Sequence, residues 1–216
     1  MDVMRGRGRS ARMPLDNRRR PQGTPMRRRL VLAFILALGI ARPAAAAPVA
    51  YAYDPEGSAV TAEADYGRTV VRARLPVAEA DLAIDFERVA NSRFAVVLRA
   101  DRARSNIPFA ARAIMGESVL DAANHPQIRF ENTRVASAGE GRVTVTGQAT
   151  LRGVTREVTL DAVIYRPPGS DPGVRDDLTV LITGTISRAA FGASGHAGSV
   201  GDAVRLRILL HVLRAG

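Results

Sequence analysis

Residues 150–160 read Thr-Leu-Arg-Gly-Val-Thr-Arg-Glu-Val-Thr-Leu, with polar and apolar residues alternating on both sides of a Gly-Val-Thr turn. Two β-rich runs joined at one glycine are typical of a β-hairpin. The alternation extends outward over residues 143–151 and 158–164, so that one face of each run is apolar. We therefore predict an antiparallel hairpin at this point of the chain.

A period of two recurs along most of the remaining sequence. Clear alternation covers residues 81–86, 93–99, 127–130, 178–186 and 204–212, and weaker runs cover 49–54, 58–64 and 69–75. Together with the hairpin these runs give roughly nine or ten strands separated by turns that contain Gly, Pro or Asp. The pattern predicts an all-β antiparallel meander whose strands can close into a barrel.

One stretch interrupts the alternation. Residues 108–125 contain Pro108 at a helix-start position and Gly116 at a helix-stop position. We predict one or two short helices inserted in the barrel, and loops over residues 170–175 and 192–201.

The first 47 residues have the pattern of an export signal. A basic start at residues 27–29 precedes an apolar run over 30–40, which is too short for a stable membrane anchor, and small residues follow at 44–47. We predict residues 1–47 to be an export signal with a basic N-terminal extension, cleaved near Ala46, and residues 48–216 to be one periplasmic domain. Met26 is an alternative start. The absence of cysteine fits an exported bacterial protein and excludes thiol catalysis.

The basic charge of the chain lies mostly in that segment. It carries 11 arginines and two aspartates, which leaves 20 basic and 19 acidic residues of the totals of 31 and 21. The nearly neutral remainder argues against nucleic acid as a partner, since such binding needs cations that neutralise phosphates. Outside the first 47 residues, no apolar run approaches the ~20 residues that a membrane helix needs. We therefore expect no stable membrane span in the mature protein.

Five short motifs occur in an order that resembles the YceI-like family of lipid-binding proteins. They are Tyr53-Asp54-Pro55 with Ser58; Val71-Arg72-Ala73-Arg74-Leu75; Ser118-Val119-Leu120-Asp121 with His125-Pro126 and Ile128-Arg129-Phe130; the hairpin over 150–160; and Ile186-Ser187-Arg188 with Phe191-Gly192 and Val200-Gly201-Asp202. Gly57, Ala73, Val119 and Leu120 depart from the family pattern, and Gly57 stands where histidine is usual. The resemblance implies a lipocalin-like antiparallel barrel of about eight strands that is exported to the periplasm.

The resemblance also implies that the barrel binds a polyisoprenoid or another amphiphilic lipid, with no other cofactor. The small residues Gly147, Ala149, Ala162 and Gly184 lie on apolar strand faces, where they either leave a cavity or make room for larger neighbours. The second outcome would give a structural or stress-linked interaction protein with a filled core. For the cavity we predict these lining residues: Phe86, Phe94, Phe109, Phe130, Ala149, Leu151, Ala162, Ile164, Ile182, Gly184 and Ile186.

A lipid head group would need a polar mouth, and Arg188 is the candidate to meet it. The residue ends an apolar strand beside a glycine-rich loop, and a guanidinium binds anions through paired N–H groups. The alternative is a solvated charge at a strand end.

Catalytic and metal-binding patterns are weak. Ser194 lies in Gly-Ala-Ser-Gly-His, where histidine replaces the last glycine of a nucleophile elbow and no helix follows a strand. His125, His196 and His211 lack metal-ligand spacing, and Asp176 with Asp177 reads as a loop charge cluster. We therefore predict no catalytic residue and no metal, and a hydrolase that uses the Ser194 loop is a less favoured alternative. A homodimer through exposed strands is a further alternative.

Overall fold

The structure is a computed structural model that describes residues 47–139, 141–171 and 173–216. The predicted export signal, apart from Ala47, and the alternative start at Met26 lie outside the described residues. The elements are β1 (Val49–Tyr66), β2 (Thr69–Arg74), β3 (Val77–Ile84), β4 (Arg93–Arg99), β5 (Arg104–Ser105), α1 (Ala110–Met115), β6 (Gln127–Gly139), β7 (Arg142–Leu151), β8 (Val154–Tyr165), β9 (Asp177–Ser187) and β10 (Val200–Arg214). Short 3-10 turns occupy Val89–Asn91, Ala100–Arg102 and Ala189–Phe191. Within the described part of the chain, no helix is long and apolar enough to cross a membrane.

The strands close into one antiparallel barrel. The sheet runs β10-β9-β8-β7-β6-β4-β3-β1, and β10 also pairs with β1, so that the first and last of these strands meet. Strands β2 and β3 are separated only by Leu75 and Pro76, and both pair with β1. Eight strands therefore enclose the interior, with β2 extending β3 and the two-residue β5 beside β2. This confirms the predicted lipocalin-like fold class.

The hairpin of β7 and β8 forms where the sequence places it, but its turn is different. Leu151 pairs with Val154, so the turn consists of Arg152 and Gly153 alone, with φ values of 50° and 74°. A two-residue turn with positive φ at both positions matches the twist of the flanking strands. Val154 and the residue after it already belong to β8. The predicted Gly-Val-Thr turn is therefore wrong, while the hairpin is confirmed.

Two other predicted regions take a simpler form. The runs over 49–54 and 58–64 join into the single strand β1, whose pairing with β10 is irregular between Asp54 and Ala59. The interruption over 108–125 contains one six-residue helix, α1, which ends at Gly116 as predicted. Turns occupy most of residues 117–124.

The two ends of the barrel differ. At the closed end, a buried cluster fills the interior between the start of β1 and the end of β10, and it comprises Tyr51, Leu82, Ile84, Leu178, Leu210 and Val212. At the helical end, Ile114 in α1 and Leu120 after it pack against the small cluster of Val60, Leu75 and Ala103. The interior between these two ends is where a site can form.

Candidate functional site

An apolar cavity of about 530 Å³ occupies the barrel interior. Its lining extends from Ile84 and Val212 at the closed end to Pro108 and Phe109 at the helical end. This volume falls in the range of about 300–1,000 Å³ that is usual for small-molecule sites. Among the described lining residues only Tyr66, Arg129, Arg188 and His196 have polar side-chain groups. The interior is thus built for an apolar guest.

The cavity opens at the helical end. Tyr66, Pro108, Phe109, Ala113 and His196 line it and are also exposed to solvent. By contrast, the lining residues of the closed end are buried or half-buried. A guest therefore has one evident route of entry, past these residues.

Three segments form a rim around this opening, and we define the rim as residues 66–72, 104–118 and 193–200. Gly67 N donates to Ser199 O over 3.3 Å, which joins the first segment to the third. Arg72 N donates to Asn106 Oδ1 over 2.7 Å, which joins the first to the second. Gly195 N donates to Ser118 O over 2.7 Å and completes the ring.

Arg152, in the β7–β8 turn, supports the rim from outside. Its Nη2 donates to Glu117 O over 2.9 Å, and its Nη1 donates to Gly192 O. The guanidinium thereby connects the α1 segment to the loop after β9. Sequence alone could not indicate these contacts, because the two partners lie 35 and 40 residues away along the chain.

Most of the predicted pocket residues lie along the cavity. Nine of the eleven line it, namely Phe94, Phe109, Phe130, Ala149, Leu151, Ala162, Ile164, Ile182 and Ile186. Their contact with a lipid stays a prediction. The sequence pattern did not point to Ala110, Ala113 and Ile114 of α1, although their spacing of three and four residues is the signal of one helix face.

Two predicted pocket residues, Phe86 and Gly184, lie elsewhere, and this corrects their assignment. The Phe86 ring packs edge-on against Tyr51, with centroids 6.3 Å apart, and Arg175 Cζ lies 4.4 Å from its centroid. A Cβ atom added at Gly184 would collide with the Leu160 side chain. Gly184 therefore makes room for a larger neighbour and leaves no gap.

Gly147 has the same role as Gly184, because a Cβ atom there would lie 2.6 Å from Phe130 Cζ. The two alanines behave differently, since Ala149 and Ala162 line the cavity. Of the four small residues, the glycines serve packing and the alanines border open space.

Arg188 is buried, with 8% of its surface exposed, and its guanidinium faces backbone carbonyls. Nε donates to Gly201 O over 2.9 Å, Nη1 donates to Ala193 O over 2.6 Å and to Gly195 O over 2.7 Å, and Nη2 donates to Val200 O over 2.9 Å. Four of its five N–H groups are thus occupied. The arginine holds the third rim segment in place, so a solvated charge is excluded. Its contact with a lipid head group stays a prediction.

His211 joins two carboxylates on the outer face of the barrel. Its Nδ1 lies 2.6 Å from Asp54 Oδ2, and its Nε2 lies 2.8 Å from Asp177 Oδ1. These hydrogen bonds, first that to Asp54, raise the pKa of His211, and the bond from His211 is the main cause that lowers the pKa of Asp54. The predicted reading of Asp177 as part of a loop cluster missed this contact. A Cβ atom at Gly57 would lie 2.6 Å from His211 Cβ, so glycine leaves room for the imidazole.

We expect His211 to stabilise the fold most strongly in mild acid. Its folded pKa is raised, so its contribution is complete below the unfolded value of about 6.5 and is lost as the pH rises through the folded value. The lowered pKa of Asp54 means that the carboxylate contributes above about pH 4. Urea denaturation should therefore show a larger stability gap between wild type and His211→Asn at pH 5 than at pH 9. An equal stability gap at both pH values would contradict a positively charged imidazole between the two carboxylates.

The arrangement around Ser194 is not that of a nucleophile elbow. The residue is exposed in the loop between β9 and β10, and no described hydrogen bond joins it to a histidine. In the described part of the chain, no group of three His, Cys, Asp or Glu side chains is placed to hold a metal ion.

Comparison with known proteins places this barrel in a family. The family model described as YceI-like domain matches residues 51–212. A UPF0312 protein of Vibrio parahaemolyticus is 28% identical over 140 residues, which cover 63% of this chain and 74% of that protein. A UPF0312 protein of Pseudomonas putida is 33% identical over 104 residues, which cover 48% of this chain and 54% of that protein.

Solved structures show the same fold at low identity. Burkholderia cenocepacia BcnA is similar with a TM-score of 0.66 and 19% identity, covering 74% of this chain and 99% of that one. A polyisoprenoid binding domain from Saccharophagus degradans is similar with a TM-score of 0.57 and 12% identity, covering 77% and 99%. The match of the family model over most of the chain, together with the closed barrel and its ordered motifs, shows that this chain belongs to the YceI-like family.

Proposed function

We propose that this protein is a periplasmic carrier that holds one long hydrophobic chain, a polyisoprenoid or another amphiphilic lipid, inside its barrel and performs no chemistry on it. The observation that carries the proposal is the apolar cavity of about 530 Å³ that opens to solvent at the helical end. A filled core would leave no such space, so the geometry favours the carrier over the structural alternative.

The cavity lining can supply the binding energy. Burial of a methylene group in apolar surroundings is worth about 0.8 kcal/mol, so ten carbons give a gross transfer term of about 8 kcal/mol. Immobilisation of the guest reduces this figure. The similar domain from Saccharophagus degradans is described as polyisoprenoid binding, which supports the same chemical class here.

The distribution of polar groups favours one orientation of the guest. Tyr66, Arg188 and His196 line the cavity at or near the helical end, whereas the buried cluster at the closed end contains aliphatic side chains and Tyr51. The Tyr51 hydroxyl donates to Arg175 O over 2.7 Å, away from a guest. The tail of the lipid should thus point to the closed end and the polar head should lie at the opening.

Native mass spectrometry of protein purified from its host tests the carrier function directly. We expect a bound species of lipid mass that disappears after delipidation and returns, one molecule per barrel, when the lipid extract is added back. A protein that carries no lipid mass and takes none up would support the filled-core alternative instead.

The absence of chemistry is tested separately with a panel of ester substrates. We expect no turnover above background for wild type, and no difference between wild type and Ser194→Ala. Turnover that depends on Ser194 would overturn the proposal that the protein only carries its guest.

A further inference from the structure

We propose that the rim docks on the surface of a membrane that contains anionic phospholipids, with Phe109 and Tyr66 inserted among the head groups. This surface goes beyond the cavity itself, and only its purpose, the exchange of a guest with the bilayer, rests on the proposed carrier function. The exposure, the backbone and the charge of the rim each support this docking surface.

Phe109 is the most exposed large apolar side chain of the described residues. It is 92% exposed and stands at the start of α1, at the opening of the cavity. Tyr66, on the first rim segment, is 45% exposed and borders the same opening. Exposed apolar groups clustered at one place mark sites of contact with a partner or a membrane. Aromatic side chains are favoured where an apolar phase meets water.

The backbone at Phe109 adds a second observation. Its φ is 64°, the left-handed region that a bulky residue avoids at a cost of roughly 1–2 kcal/mol. Burial does not repay this cost, since the ring makes little contact with the protein. The conformation therefore holds an aromatic ring in solvent beside the opening, which is what an inserted anchor requires.

The charge of the rim identifies the kind of surface. The three rim segments contain Arg68, Arg72, Arg104 and Arg112 against one acidic residue, Glu117. Arg72 is paired with Glu63, outside the rim, at 2.7 Å. Arg68, Arg104 and Arg112 are exposed, and within the described residues none of them has a carboxylate partner at ion-pair distance. Cations around an apolar anchor complement a surface of anionic lipid head groups.

Cosedimentation with extruded vesicles tests the docking surface. Wild type should bind vesicles that contain phosphatidylglycerol, and binding should weaken in high salt because surface charges are screened. Phe109→Ser should weaken this partitioning by about tenfold. The matched control is Tyr165→Ser, because Tyr165 is 50% exposed and lies at the closed end, and it should bind like wild type.

Two arginine variants test the electrostatic part without touching the cavity lining. Arg68→Gln and Arg112→Gln should each weaken binding to phosphatidylglycerol vesicles by about fivefold and leave binding to pure phosphatidylcholine unchanged. Circular dichroism of every variant should match that of wild type, as expected for exposed side chains.

The outcomes separate docking from carriage. The double variant Ala149→Leu with Ala162→Leu, whose cavity is filled, should lose its guest but still bind vesicles. Vesicle binding therefore tests the docking surface even if the carrier proposal fails. Docking is overturned if wild type does not bind phosphatidylglycerol vesicles, or if Phe109→Ser binds them as wild type does. A dimer that dissociates on Phe109→Ser, without vesicle binding, would instead make the rim a contact between two copies of the chain.

Discussion

Arg188→Met is expected to lower the free energy of unfolding by about 3 kcal/mol and to release a bound lipid faster. The substitution keeps the apolar stem but removes four hydrogen bonds to the carbonyls of Ala193, Gly195, Val200 and Gly201. A buried carbonyl that loses its partner costs about 1–3 kcal/mol, and the carbonyls nearer the surface can regain water. Urea denaturation measures the stability, and dissociation of a fluorescent lipid measures the release.

The loss of function follows from the position of the loop. The carbonyl-bearing residues Ala193, Gly195 and Val200 also line the cavity, so a loosened loop opens its wall. Arg188→Lys should lie between wild type and Arg188→Met, because an ammonium has three donors and cannot span four carbonyls in a plane. The matched control is Arg142→Met at the exposed first position of β7, which should leave both measurements unchanged. If Arg188→Met unfolds at the same urea concentration as wild type, the anchoring role is wrong.

Filling the cavity should have the largest effect on lipid binding. Ala149 and Ala162 line the cavity, and leucine at either position adds three carbon atoms to its wall. A guest displaced by three methylene groups loses about 2.4 kcal/mol of burial, which corresponds to roughly a 50-fold weaker dissociation constant. The double variant should bind more weakly still. Equilibrium titration with a fluorescent fatty acid or isoprenoid measures the change.

The control for this prediction is Ala52→Leu, the same substitution at an exposed position of β1. It should bind the lipid like wild type. The filled variants should remain folded, because overpacking usually costs about 1–3 kcal/mol and here the added carbons enter open space. If both filled variants bind as tightly as wild type, the guest lies somewhere other than the barrel interior.

Alternating residues located the strands because a strand that is half-buried must place apolar side chains at every second position. This rule also identified Ala149, Leu151, Ala162 and Ile182 as interior residues. It could not separate cavity from core, because both present the same apolar face to the interior. Gly184 shows this limit, since only the position of the Leu160 side chain reveals that the space beside the glycine is filled.

Long-range polar contacts were beyond the sequence for a related reason. His211 meets Asp54 and Asp177, which are 157 and 34 residues away, only because β10 lies between β1 and β9. Neither the spacing nor the composition of the chain carries the order of strands around the barrel. The local sequence correctly predicted that Arg188 ends a strand beside a glycine-rich loop. The direction of its guanidinium, however, depends on how that loop folds back.

The sequence by itself determined the class of fold and the family, because the two-residue period and the ordered motifs are local properties of the chain. Tertiary structure alone decided that the interior keeps an open volume, that one end is closed, and that Phe109 stands exposed beside the other. These features depend on how side chains from distant strands fill a shared space, and no local pattern records that packing.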